Sequence, residues 1–144
     1  MKDERLQVII KFFDDVSALM DLAYIRADLP SYFFETVYEP PTDVFELEDK
    51  IYVVMELPGV NPQDLQIAVG PTMVVVRGTK LQPALMKQAL SFYNLEISYG
   101  YFRRQLYLPT RIVVKATSVS FDNGVLKIEL LKEKQDVKII RFND

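Results

Sequence analysis

The chain has no cysteine, no histidine and no tryptophan among its 144 residues. Thiolate and imidazole metal sites are excluded with them, as are disulfides and the Ser-His and Cys-His nucleophile pairs. Carboxylate chemistry and oxygen-ligated metals survive that cut, but most catalytic templates do not. Glycine is scarce: the five glycines (59, 70, 78, 100 and 124) all read as ends of extended runs, so no glycine-rich loop is left to cradle a phosphate. No catalytic, cofactor-binding or metal-ligating residue is assigned, no cofactor is expected, and an enzyme is the least favoured class. Charge of neither sign dominates. Lys plus Arg number 17 against 20 Asp plus Glu, a net −3 that gives no electrostatic case for nucleic acid or an anionic membrane. No stretch approaches the roughly 18 uninterrupted apolar residues that span a bilayer. The start, Met1-Lys2-Asp3-Glu4-Arg5, mixes both charges, and the apolar run after it is broken at Lys11, Asp14 and Asp15, unlike a signal peptide. A cytoplasmic protein is expected, without nucleic-acid or integral membrane association. What is present is 49% hydrophobic residues and 17 aromatics, enough for a sizeable core and better suited to holding molecules than to transforming them.

The pattern changes near Pro40-Pro41, which divides an arm (1–41) from a domain (42–132) and a tail (133–144). Leu6, Ile9, Phe13, Val16, Met20 and Ala23 recur at three- and four-residue spacing, which predicts an amphipathic helix over 6–23. Ile10, Phe12, Leu19 and Tyr24 widen its apolar face, while Gln7, Asp14 and Asp21 lie opposite. Its stripe must be buried on its own domain, on another subunit or on a partner. The aromatic run Tyr32-Phe33-Phe34 follows, between prolines that favour extended backbone.

From Thr42 the period becomes two. Ile51, Val53, Met55 and Leu57 share a face, as do Leu65, Ile67 and Val69, then Phe102, Leu106 and Leu108, then Leu126, Ile128 and Leu130. Met73 to Arg77 is an apolar, β-branched run, and Asp122-Asn123-Gly124 is a strong hairpin signal. Short strands punctuated in this way predict an all-β, immunoglobulin-like sandwich. Glu46, Glu48 and Asp49 read as solvated surface. Arg104 breaks the alternation by falling on the apolar face of its strand, which leaves two readings: a long side chain snorkelling from an edge strand, or a charge paired with a carboxylate at a subunit contact.

Three blocks together resemble the small heat shock proteins, whose fold is the α-crystallin domain. They are Val53-Val54-Met55-Glu56-Leu57-Pro58-Gly59-Val60 with Asp64-Leu65-Gln66-Ile67, then Tyr99-Gly100-Tyr101-Phe102-Arg103-Arg104-Gln105-Leu106-Tyr107-Leu108-Pro109, then Val119-Ser120-Phe121-Asp122-Asn123-Gly124-Val125-Leu126. The last is similar to the family's A-x-x-x-n-G-V-L signature, with Val in place of Ala. Pro58-Gly59 and Asn123-Gly124 have an independent physical sense as turns, and their order is what carries the likeness.

The resemblance implies an ATP-independent holdase that binds partly unfolded client proteins and works as a dimer-based homo-oligomer in a stress response. Client binding would fall to Ile9, Phe12, Phe13, Val16, Met20, Tyr32, Phe33 and Phe34. A dimer interface would involve Tyr93, Leu95, Ile97, Tyr99 and Arg104, with residues 93–98 as a strand that crosses to a neighbouring subunit; an intramolecular lid is the alternative for this insertion. The tail pairs Val137/Ile139 and Ile140/Phe142 would anchor in another subunit's groove, lined by Leu65, Ile67, Val69, Leu126, Ile128 and Leu130. The alternative for the tail is a last strand on its own sheet. Competing functions are a CS-domain-like co-chaperone, which would be a monomer, and a scaffold adaptor of the same fold.

Overall fold

Alternating side chains can bury one face only by stacking two sheets. In the computed structural model, which describes residues 9–12 and 38–134, this is the arrangement found. The strands are β1 (Ile9–Phe12), β2 (Thr42–Glu46), β3 (Lys50–Glu56), β4 (Leu65–Val69), β5 (Met73–Lys80), β6 (Gly100–Tyr107), β7 (Ser118–Asp122) and β8 (Val125–Leu131). One sheet has the order β1-β4-β5-β6 and the other β2-β3-β8-β7.

Register follows the pattern. Between β3 and β8, Ile51 stands opposite Leu130, Val53 opposite Ile128 and Met55 opposite Leu126. Between β4 and β5, Ile67 stands opposite Val76 and Val69 opposite Val74. These side chains join Leu57, Leu65, Phe102 and Leu106 in one core between the sheets. Each such burial gains about 1.5–3 kcal/mol. The intervening residues face outward and pair there: the Tyr52 hydroxyl donates to Glu129 Oε1 at 2.7 Å, and Lys50 Nζ to Oε2 at 3.4 Å. These bonds, the tyrosine's foremost, hold the Glu129 carboxyl below its ordinary pKa. Asn123 and Gly124, with φ of 52° and 76°, form the two-residue turn of the β7–β8 hairpin.

Gly78 is not at a strand end. It lies inside β5 on the core face, opposite Leu65 and Phe102. A Cβ there would stand 2.4 Å from the Asp64 carbonyl oxygen and 2.7 Å from Phe102 Cζ. Gly78→Ala is therefore expected to lose about 1–3 kcal/mol of stability by overpacking. It should read as a lower urea midpoint at unchanged slope.

The arm departs from its sequence pattern where it is described. Ile9–Phe12, expected inside a helix, is extended and pairs in parallel with β4, from Ile9–Gln66 to Phe12–Val69. A helix would leave the outer edge of β4 with a row of unpaired backbone groups. The β-branched Ile9 and Ile10 suit a strand that fills that row. The remainder of the expected helix lies outside the described residues. At the opposite end of this sheet, the Tyr38 amide donates to the Tyr101 carbonyl at 3.3 Å, and the chain enters β2 four residues later. β2 thus stacks on the β6 side of the sandwich and β7 on the β4 side.

Candidate subunit and client surfaces

Two sheets leave strand edges, and a long connection leaves apolar side chains in water. The β5–β6 connection contains a 3-10 turn at Ala84–Gln88 but no strand. Along it Leu81, Leu85, Leu90, Phe92, Tyr93, Leu95 and Ile97 are all exposed. Tyr93 at 96% exposed and Leu95 at 65% are not docked on the sheet of their own chain. Alternation of Tyr93, Leu95 and Ile97 puts three apolar side chains on one face of any strand this segment forms. Tyr99 is half-buried, with Lys80 Nζ 5.8 Å from its ring centroid.

Arg104 stands opposite Val76 on the core face of β6, as its alternation requires. Its side chain is 27% exposed and donates to Glu39 Oε2 at 3.2 Å, so the carboxylate it meets is on its own chain. Glu39 lay outside every sequence pattern; only its position just before Pro40-Pro41, beside the β6 edge, connects the two. Phe102, two residues earlier, is fully buried and packs against the Tyr38 ring with centroids 5.6 Å apart.

The residues expected at a groove lie inside the sandwich. Leu126, Ile128 and Leu130 lie on β8, an interior strand between β3 and β7, and are fully buried. Leu65, Ile67 and Val69 are likewise core residues. In the single chain none of the six side chains is open to solvent. The edge strand on the β4 side is β7, and its Val119 and Phe121 are half-buried against the core. Alternation identifies inward residues but not which strands are edges, so the edge position of Val119 and Phe121 is visible only in the sheet order. The outer edge of β4 itself is taken by β1.

Of the expected client residues, Phe12 is 47% exposed, and Ile9 is placed by the backbone of β1. Phe13, Val16, Met20, Tyr32, Phe33 and Phe34, with the tail residues Val137, Ile139, Ile140 and Phe142, lie outside the described residues. An open cleft of about 460 Å³ is lined by Glu46, Glu48, Asp49, Lys132 and Glu133 among others. Glu46 is not bare surface, because it pairs with Lys132, whose ammonium also donates to the Glu48 carbonyl at 3.1 Å. No helix among the described residues is long and apolar enough to cross a membrane.

Comparison with known proteins agrees with this architecture. The chain is 24% identical over 128 residues to small heat shock protein C4 of Rickettsia felis, covering 89% of this chain and 73% of that one. It is 31% identical over 122 residues to small heat shock protein HspB of Bradyrhizobium diazoefficiens, covering 84% and 71%. Among solved structures, heat shock protein 16.0 from Schizosaccharomyces pombe superposes with a TM-score of 0.57 at 28% identity, over 74% of this chain and 99% of that one. A small heat-shock protein from Xylella fastidiosa, described as having a distinct high order structure, shares the fold with a TM-score of 0.61 at 23% identity, over 76% and 100%. The family model described as "Hsp20/alpha crystallin family" matches residues 43–142, which takes in seven of the eight strands above and continues into the tail. The order of sequence blocks, the two-sheet sandwich and this match converge, and the chain belongs to the Hsp20/alpha-crystallin family of small heat shock proteins.

Proposed function

We propose that this chain is an ATP-independent holdase, built from dimers that associate further, which keeps partly unfolded proteins from aggregating. Its family supports a chaperone role at the coarser level. The observation that carries the finer reading is the exposed apolar row from Leu81 to Ile97, a liability for an isolated chain unless something covers it.

The cover fits a neighbouring subunit. Residues 93–98 extend as a strand that crosses to the free edge of the neighbour's β2, where Val44 and Phe45 are exposed. Burying Tyr93, Leu95 and Ile97 gains about 5–9 kcal/mol gross per crossing. Ordering the loop offsets part of it. The tail pairs Val137/Ile139 and Ile140/Phe142 link dimers through weaker anchors, about 3–6 kcal/mol gross each. Single links exchange readily, and many together hold the assembly by avidity. Warming then releases subunits and uncovers the aromatic-rich arm, with Ile9, Phe12, Phe13, Val16, Met20 and Tyr32-Phe33-Phe34 as the client surface.

Arg104 belongs to the interface in this reading. The pair with Glu39 is surface-exposed on the Glu39 side and worth less than about 1 kcal/mol to the chain alone. Arg104→Gly is expected to cost the isolated chain about 0.5–1 kcal/mol, the penalty of glycine inside a strand, while shifting the oligomer to smaller mass. Unchanged mass by native mass spectrometry removes Arg104 from the interface.

The function is tested by light scattering from a model protein heated without nucleotide. Stoichiometric amounts of the full chain are expected to suppress scattering, and ATP to change nothing. No suppression at any ratio overturns the holdase reading.

A further inference from the structure

The two ends of the chain carry nearly the same tetrapeptide. Ile9-Ile10-Lys11-Phe12 differs from Ile139-Ile140-Arg141-Phe142 only in the exchange of one basic residue for another. The first copy is seated: it forms β1, paired in parallel along β4. In that register Ile10 and Phe12 share the core side of the sheet with Ile67 and Val69, and Lys11 shares the outward side with Ala68. Ile140 and Phe142 have the same spacing, with Arg141 between them as Lys11 stands between Ile10 and Phe12.

From this we infer that the outer edge of β4 is one docking site with two rival occupants from the same protein. The N-terminal strand β1 acts as a built-in competitor that must leave before the tail segment Ile139–Phe142 of a neighbouring copy can enter. A strand edge accepts one partner strand at a time, because its outward N–H and C=O groups pair once. The seating of the first copy shows what this edge accepts: an extended I-x-F pair with a cation between. The second copy has the same residue types at every position, with Arg141 in place of Lys11. The grip of β1 is limited, since Ile10 is 36% and Phe12 47% exposed where they sit. The apparent affinity of the edge for a tail is reduced by the fraction of chains whose edge is open. Arm release and tail docking are thereby coupled: a subunit that frees Ile9–Phe12 for other contacts also opens its edge to a neighbour. This inference rests on the tail-anchor part of the proposed function and adds the competition.

The test uses the full chain carrying Ile140→Ala and Phe142→Ala, so that its own tail does not compete, and a fluorescent peptide of residues 135–144. Adding Ile10→Ala and Phe12→Ala, both at exposed positions, is expected to tighten peptide binding at least tenfold. Amide exchange within Leu65–Val69 should speed up in that variant and slow again when the peptide is added. The natural absence of cysteine allows the opposite variant, Lys11→Cys with Ala68→Cys. These are register partners on adjacent strands about 4.8 Å apart, a separation a disulfide can bridge. Oxidised, it should bind the peptide at least tenfold more weakly than when reduced. Equal peptide affinity with β1 intact, substituted and locked overturns the competition while leaving tail anchoring in place. No binding to any of the chains overturns tail anchoring and the inference together.

Discussion

Leu95→Asp combined with Ile97→Asp is expected to convert the assembly into folded monomers. Both side chains are exposed in the single chain, at 65% and 63%, so the substitutions remove nothing from its core. In the proposed crossing they are buried against a neighbour. A two-fold pair of crossings buries four such side chains, worth about 6–12 kcal/mol gross. Aspartate forfeits that gain and must also desolvate a carboxylate or keep the strand out. A net loss of only about 4 kcal/mol weakens a dimer roughly a thousandfold. Native mass spectrometry at micromolar concentration should therefore show the monomer, while far-ultraviolet circular dichroism retains the β signal. If the double variant keeps the wild-type mass, the crossing strand is wrong.

Phe102→Ala is expected to have the largest effect on folding itself. The ring is fully buried, lies over Gly78 across the β5–β6 ladder, and packs against Tyr38. It ties together the edge of one sheet and the approach to β2 in the other. Removing a buried phenylalanine costs about 3–5 kcal/mol. That is a large share of the about 5–15 kcal/mol that keeps a domain of this size folded. Urea unfolding should show a midpoint lowered by that amount. A loss under about 1 kcal/mol means that Phe102 is not the keystone between sheets that its packing indicates. Assembly should fail as a consequence, which separates this variant from the loop variant: one loses the fold, the other only the partner.

These two residues also show how much the sequence discloses. Phe102 was legible as a core residue because alternation with Leu106 reports which face is buried. The same signal placed Ile51, Val53 and Met55 inside, and the Asn-Gly pair located the β7–β8 turn. Edge and interior are another matter, since strand order arises from long-range pairing that no local period encodes. Leu126, Ile128 and Leu130 were therefore expected at a groove, whereas β8 is enclosed on both sides. For the same reason Ile9–Phe12 fitted a helical spacing while its partner strand stood more than fifty residues away. Gly78 gave no sign of its tight contact with Phe102, because the neighbours that exclude a Cβ come from two other segments. The expected interface could be read only as a row of apolar residues, as the partner that would cover it is absent from the sequence pattern.

The distribution of aromatics gives the missing histidines and cysteines their counterpart. Seven of the 17 lie in residues 1–40 and six between Phe92 and Tyr107, of which Tyr101 and Phe102 belong to the buried interior. In the proposed holdase the aromatics left exposed there, Phe92, Tyr93 and Tyr107, would serve as contact surface rather than as reactive groups. The most direct test is capture. The full chain is heated with a model protein in the absence of nucleotide, and the soluble fraction is separated by size with both proteins followed. The account predicts that the model protein elutes with the chain in soluble complexes larger than either alone. A soluble chain that elutes at its own size while the model protein is found entirely in the pellet contradicts it.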